Sequence, residues 1–189
     1  MKNFLAVFAL ICLSSAAVFA MTNTDNEFIV KAGIQPQGSV SIDGSSSDTN
    51  IGISAGFEYF KYLNNIVAVG AGASYDLPRK FKDDIIDGSV SFLPLSVAVK
   101  ARTPIQGFDN NFPFIVGRIG YSAFMNNSDD IKSSSGGLYY SLGLGVSIDY
   151  LVIEAAYAAN KFSFKNPVTD TNLDGTYSTI SLYVGFKFE

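Results

Sequence analysis

The sequence predicts an all-β protein: a single eight-stranded, antiparallel, up-and-down transmembrane β-barrel preceded by a cleavable signal peptide. Three observations predict it. Apolar and polar residues alternate in eight separate stretches, glycines and charges gather on one parity of that alternation, and long polar connections alternate with short ones. No segment after the first twenty residues reaches the roughly 18 consecutive apolar residues of a membrane-spanning helix. A closed barrel is the other way to satisfy every backbone hydrogen bond in hydrocarbon.

The first twenty residues have the parts of a secretory signal. Lys2 supplies the positive start, Phe4 to Leu13 the apolar run, and Ala17-Val-Phe-Ala20 the small-residue end before Met21. The domain division is therefore 1–20 signal peptide and 21–189 barrel. Leu10 and Ile11 precede the sole cysteine, Cys12, where a lipid-attachment signal would need small residues. With the leader gone the chain has no cysteine, hence no disulfide framework. Loss of Lys2 leaves 12 basic against 17 acidic residues, a net charge of −5. That balance, with no basic run, excludes nucleic acid as a partner.

A strand sends successive side chains to opposite faces. The first stretch sets Phe28, Val30, Ala32 and Ile34 against Ile29, Lys31 and Gly33, and is expected to run on to about Ile42. The second places Ile51, Ile53, Ala55, Phe57 and Tyr59 on one side, with Glu58 on the other. Val67–Tyr75, Phe92–Ala101, Ile115–Ala123, Leu138–Ile148 and Leu151–Ala158 repeat the pattern, Ile115–Ala123 least cleanly. The eighth stretch, Tyr177 to Glu189, has a wholly apolar face of Ile180, Leu182, Val184, Phe186 and Phe188.

The other parity is largely Gly, Ser and Ala, and it carries Lys31, Glu58, Lys100, Arg118, Glu154 and Lys187. A Lys or Arg facing lipid at the bilayer midplane costs about 2–4 kcal/mol. Six charges on one parity therefore mark the inside. An eight-stranded barrel has room only for side chains to fill its lumen, so these six are expected to pair across it. Aromatics near the strand ends, including Tyr59, Tyr62, Tyr75, Tyr150, Phe162, Phe164, Tyr177 and Phe188, read as interfacial girdles. The competing reading is a soluble sandwich, whose antiparallel sheets also alternate.

Gly44–Asn50, Pro78–Gly88, Asn126–Gly137 and Asn166–Gly175 are long and polar, whereas Tyr62–Asn65 and Asp149–Tyr150 are short. Ala101–Asn111 is longer than the tight turn expected there. Long on one side and short on the other places both strand termini on the short-turn, periplasmic side.

On Phe92-Leu-Pro-Leu-Ser-Val-Ala-Val-Lys100, Ile153-Glu-Ala-Ala-Tyr157 and Tyr183-Val-Gly-Phe-Lys-Phe188, the chain resembles the small eight-stranded bacterial outer-membrane barrels, the group that contains OmpX and the OmpA membrane domain. The likeness runs from Glu27 to Phe188. It implies that Glu154 is an inward carboxylate, and that Tyr183, Phe186 and Phe188 form the C-terminal signal read by the barrel-assembly machinery. Family members usually end on the aromatic, whereas Glu189 follows Phe188 here.

Enzymatic barrels of this kind use a histidine as acid or base, and this chain has none. Without His or a mature Cys, neither a Ser/His nor a Cys/His nucleophile arrangement can be built. Asp83 with Asp84, and Asp129 with Asp130, read as solvated loop charge. Asp170-Thr-Asn-Leu-Asp-Gly175 matches half of a calcium loop, but Ser181 stands where the bidentate Glu belongs. Asp43 and Asp48 are weak further ligands. No catalytic residue, metal or cofactor is expected. Arg79, Lys80 and Lys82, beside Asp83, Asp84 and Asp87, form a mixed-charge loop that could meet lipopolysaccharide phosphates or a host surface. The expected function is structural, adhesive or surface-shielding, through extracellular loops, with outer-membrane lipid, lipopolysaccharide, the assembly machinery and host ligands as partners. A small pore and a soluble lipocalin-type carrier are the alternatives.

Overall fold

A computed structural model describes residues 26–36, 38–42, 45–80, 89–103, 111–126, 134–165 and 172–188. They form ten β-strands: β1 (Asn26–Gln35), β2 (Gly38–Ile42), β3 (Ser45–Thr49), β4 (Gly52–Tyr62), β5 (Val67–Lys80), β6 (Ser89–Arg102), β7 (Asn111–Asn126), β8 (Ser134–Ile148), β9 (Leu151–Lys165) and β10 (Asn172–Phe188). All neighbours are antiparallel, in the order β1-β4-β5-β6-β7-β8-β9-β10, and β10 pairs back with β1. This is a closed eight-stranded barrel, with no helix among the described residues.

The β2–β3 hairpin explains why ten strands make eight staves. β2 continues β1 beyond a break at Pro36, where proline offers no N–H to the ladder. β3 continues into β4 beyond Asn50 and Ile51. Along β10, Ile34 opposes Leu182 while Gly38 opposes Thr179, four steps against three. The extra residue is a bulge that bends the first stave. The segment Gly44–Asn50, expected as a loop, is thus largely paired strand. Pro78–Lys80, Ser134–Gly137 and Asn172–Gly175 are likewise strand rather than loop. β7 to β10 run 15–17 residues, beyond the roughly 9–11 that hydrocarbon requires. The long-loop end of the barrel therefore projects past the membrane.

The short-turn end is locked by side chains. Asn64 Oδ1 accepts hydrogen bonds from the backbone N–H groups of Ile66 and Val67, both at 2.8 Å, which closes the β4–β5 turn as an Asx turn. Asp149 adopts φ 49° at the first of the two central positions of the β8–β9 turn, where a primed hairpin turn needs positive φ, and its N–H donates to Asn111 Oδ1 at 3.0 Å.

The two parities separate as the sequence predicts. Ile180, Leu182 and Phe186 face outward, as does Val97 at 61% exposure. Lys100 is 1% exposed and Arg118 7%, both inside. The apolar exterior has no covering layer, so its solvent is hydrocarbon.

Candidate functional site

The lumen is filled in three layers. At the short-turn end Ile29, Phe60, Ala68, Ala98, Phe114, Val116 and Val152 pack together. Among them Lys100 Nζ pairs with Glu27 Oε1, while Glu27 Oε2 accepts a 2.5 Å hydrogen bond from the Tyr62 hydroxyl. Lys100 lies 4.4 Å above the Phe114 ring, and Lys187 lies 5.0 Å above that of Phe112. Arg102 covers Tyr62 at 3.8 Å, so cations on aromatic faces close this end.

The middle layer is a closed ionic ring. Lys31 Nζ reaches Glu58 Oε1 at 3.3 Å and Glu154 Oε2 at 3.0 Å. Arg118 donates through Nη1 and Nη2 to Glu154 at 2.7 and 2.9 Å, and through Nη2 and Nε to Glu58. Each cation touches both carboxylates, and all four residues are buried. Their strands are β1, β4, β7 and β9, so the ring ties opposite walls together. Small residues make room for it: a Cβ on Gly143 would run into Glu154 Oε1, and one on Gly185 would lie 2.9 Å from Lys31 Cβ. The cavity beside the ring, bordered by Gly72, Ser74, Ser96 and Tyr139, holds about 10 Å³, one water at most.

The upper layer is aromatic. Phe92 sits between Tyr177, stacked at 5.2 Å, Phe124 at 5.3 Å and Phe162 at 5.8 Å. Below it Arg79 donates to the Tyr177 hydroxyl and to Gln35 Oε1, while Gln35 Nε2 donates to Asp76 Oδ1 at 2.9 Å.

Three parts of the sequence reading need correction. Phe162 and Tyr177, expected in the interfacial girdle, are buried in the upper layer of the lumen, and Tyr62 packs against the lower interior cluster. Arg79 was expected in a surface loop, but it is 3% exposed and points inward. A bulge between Asp76 and Arg79 reverses the parity of β5, carrying an odd-numbered side chain to the inner face. Glu27 and Asp76 were missing from the expected interior set. Both lie on the parity of their strand's inward residues, one step past where the alternation was cut off, so strand length was the missing signal. Lys82, Asp83, Asp84, Asp87, Asp129, Asp130 and Asp43 lie outside the described residues, and so do the segment 1–20, expected to be a signal peptide, and Glu189. Of the calcium half-loop, Asp170 and Thr171 also lie outside. Asn172 and Asp174 pair with Lys165 and Ser163 in the β9–β10 ladder. No group of three or more candidate metal ligands occurs among the described residues. In β10, Tyr183 points inward, over Lys31, while Phe186 and Phe188 point out.

An apolar exterior, an occluded ionic lumen and aromatic rims define a transmembrane β-barrel of the outer-membrane class. Comparisons agree. A family profile described as "Outer membrane protein beta-barrel domain" matches residues 6–188. The chain belongs to that family of outer-membrane proteins. Among solved structures it resembles Neisserial surface protein A (TM-score 0.54, 13% identity, 84% of this chain and 96% of that one). It also resembles Ail, the attachment invasion locus protein of Yersinia pestis, crystallised with the heparin analogue sucrose octasulfate (TM-score 0.53, 20% identity, 87% of this chain and 100% of that one). No curated protein sequence matches the chain. At these identities the likeness to solved structures concerns the fold.

Proposed function

We propose that the protein is a non-enzymatic surface barrel, exported by its 1–20 leader, whose long-loop end performs a structural, adhesive or shielding role. The observation that carries this reading is the filled lumen. Among the described residues the ionic ring and the aromatic layer fill the lumen from wall to wall, which supports a closed barrel over a pore. Both central carboxylates are saturated by cations, which removes them as acid or base. What remains available for work is the end that projects beyond the bilayer. Tyr183, Phe186 and Phe188 on β10 serve in this reading as the signal read by the assembly machinery. The partners are outer-membrane lipid, lipopolysaccharide and ligands on other cell surfaces. The Ail complex with a heparin analogue supports including a sulfated glycan among them.

The test is binding of the refolded barrel to lipopolysaccharide, host matrix and a sulfated glycan, with residues 81–88 or 127–133 replaced by short turns. Saturable binding to one of them, lost in a loop-replaced barrel that still migrates as the compact unboiled form, is expected. Stepwise conductance in planar bilayers would instead make the protein a pore.

A further inference from the structure

We propose that the lipid-facing wall carries a docking groove for one anionic phospholipid of the periplasmic leaflet. The groove crosses β4 to β7 as a shallow depression open to the outside, with a volume of about 800 Å³. Its depth comes from missing side chains. In one register row Tyr59 faces Ala71, which faces Val97, which faces Ile119. In the next, Lys61 faces Val69, which faces Val99, which faces Gly117. Gly117 lies on the outward parity between Ile115 and Ile119, and a Cβ built there would meet nothing within 4 Å. This sets it apart from inward glycines such as Gly120, whose Cβ would lie 2.6 Å from Ser96 Cα. No crowding demands a glycine at 117, and its effect is an open trough.

The two ends of the trough have different chemistry. Lys61 is exposed, on the outward parity, one residue before the end of β4 at the short-turn rim. Among the described residues no ion pair includes it. Beside it an aromatic row, Phe188, Phe28 and Tyr59 in register, marks the interface, with the Tyr59 hydroxyl donating to Asn26 Oδ1 at 2.8 Å. Gly117 lies six residues into β7. At roughly 3.4 Å per residue and a tilt of about 40°, that is roughly 15 Å above the rim, half of the roughly 30 Å hydrocarbon core. A phosphate on Lys61 thus places an acyl chain along the trough within one leaflet. The lysine favours an anionic headgroup; the trough selects only for a chain.

Native mass spectrometry of the refolded barrel, released from micelles doped with equal phosphatidylglycerol and phosphatidylcholine, tests this. One phosphatidylglycerol is expected to be retained roughly fivefold over phosphatidylcholine, the factor that one lysine near an anionic surface contributes. Lys61→Gln is expected to equalise the two lipids while keeping retention. Gly117→Phe, which has room to fold, is expected to abolish retention of both while the compact gel form persists. Equal retention in the unsubstituted barrel, no retention at all, or retention unaffected by Gly117→Phe would overturn the proposal. A dimer mass lost in Gly117→Phe would give the groove to a second copy and overturn it as well.

Discussion

Replacing Arg118 with Met removes the hub of the ionic ring. Glu58 and Glu154 are then left with Lys31 alone, at 3.3 and 3.0 Å. Two carboxylates share one cation beside a cavity of about 10 Å³, too small to hydrate the surplus charge. Breaking a buried pair in this way costs about 3–5 kcal/mol, chiefly through the charge left uncompensated. Adding Glu154→Gln removes that surplus, so the double variant is expected to recover about 2–3 kcal/mol relative to the sum of the single variants. Urea unfolding from phospholipid vesicles measures both, followed by circular dichroism and gel mobility because the chain has no Trp. A cost below about 1 kcal/mol for Arg118→Met, with simple additivity in the double variant, would refute the claim that the ring acts as one unit.

Three further outcomes are expected. Val97→Arg places a charge on the lipid face near mid-strand and is expected to cost about 2–4 kcal/mol in the same assay; a neutral result would contradict the assignment of faces. Phe92→Ala opens the aromatic layer formed with Phe124, Phe162 and Tyr177 and is expected to cost about 3–5 kcal/mol, checked by the urea midpoint. Gly120→Val drives a side chain against the β6 backbone at Leu95 and Ser96, so the compact, heat-modifiable gel band is expected to be lost.

The faces were legible in the sequence because lipid and lumen impose opposite penalties on alternate residues, and Lys31, Glu58, Arg118 and Glu154 obey that rule. The pairing scheme within the lumen was not legible: that Arg118 bridges two carboxylates depends on barrel closure and stagger, which no single strand encodes. Arg79 was misplaced for a different reason. Pro78 and the neighbouring charges look like a loop, and the bulge that turns Arg79 inward has no local sequence mark. The polar tract Gly44–Asn50 misled in the same direction, because Ser46, Ser47 and Asp48 stand in a hairpin that rises above the membrane, where neither penalty applies.

The interior charges also bear on why the barrel has one register. In water a core is driven inward by hydrophobicity, but hydrocarbon outside this wall is as apolar as any side chain placed within, and that drive is absent. What still separates inside from outside is the penalty on polar groups that face lipid. A one-residue slip of β7 or β9 would turn Arg118 or Glu154 into the bilayer and send Gly117 or Ile153 inward. Each such charge weighs against the slip by an amount comparable to the cost of Val97→Arg, while the apolar positions weigh almost nothing. The ring therefore contributes to specificity as well as to stability: it identifies the correct closure among several that satisfy the backbone equally.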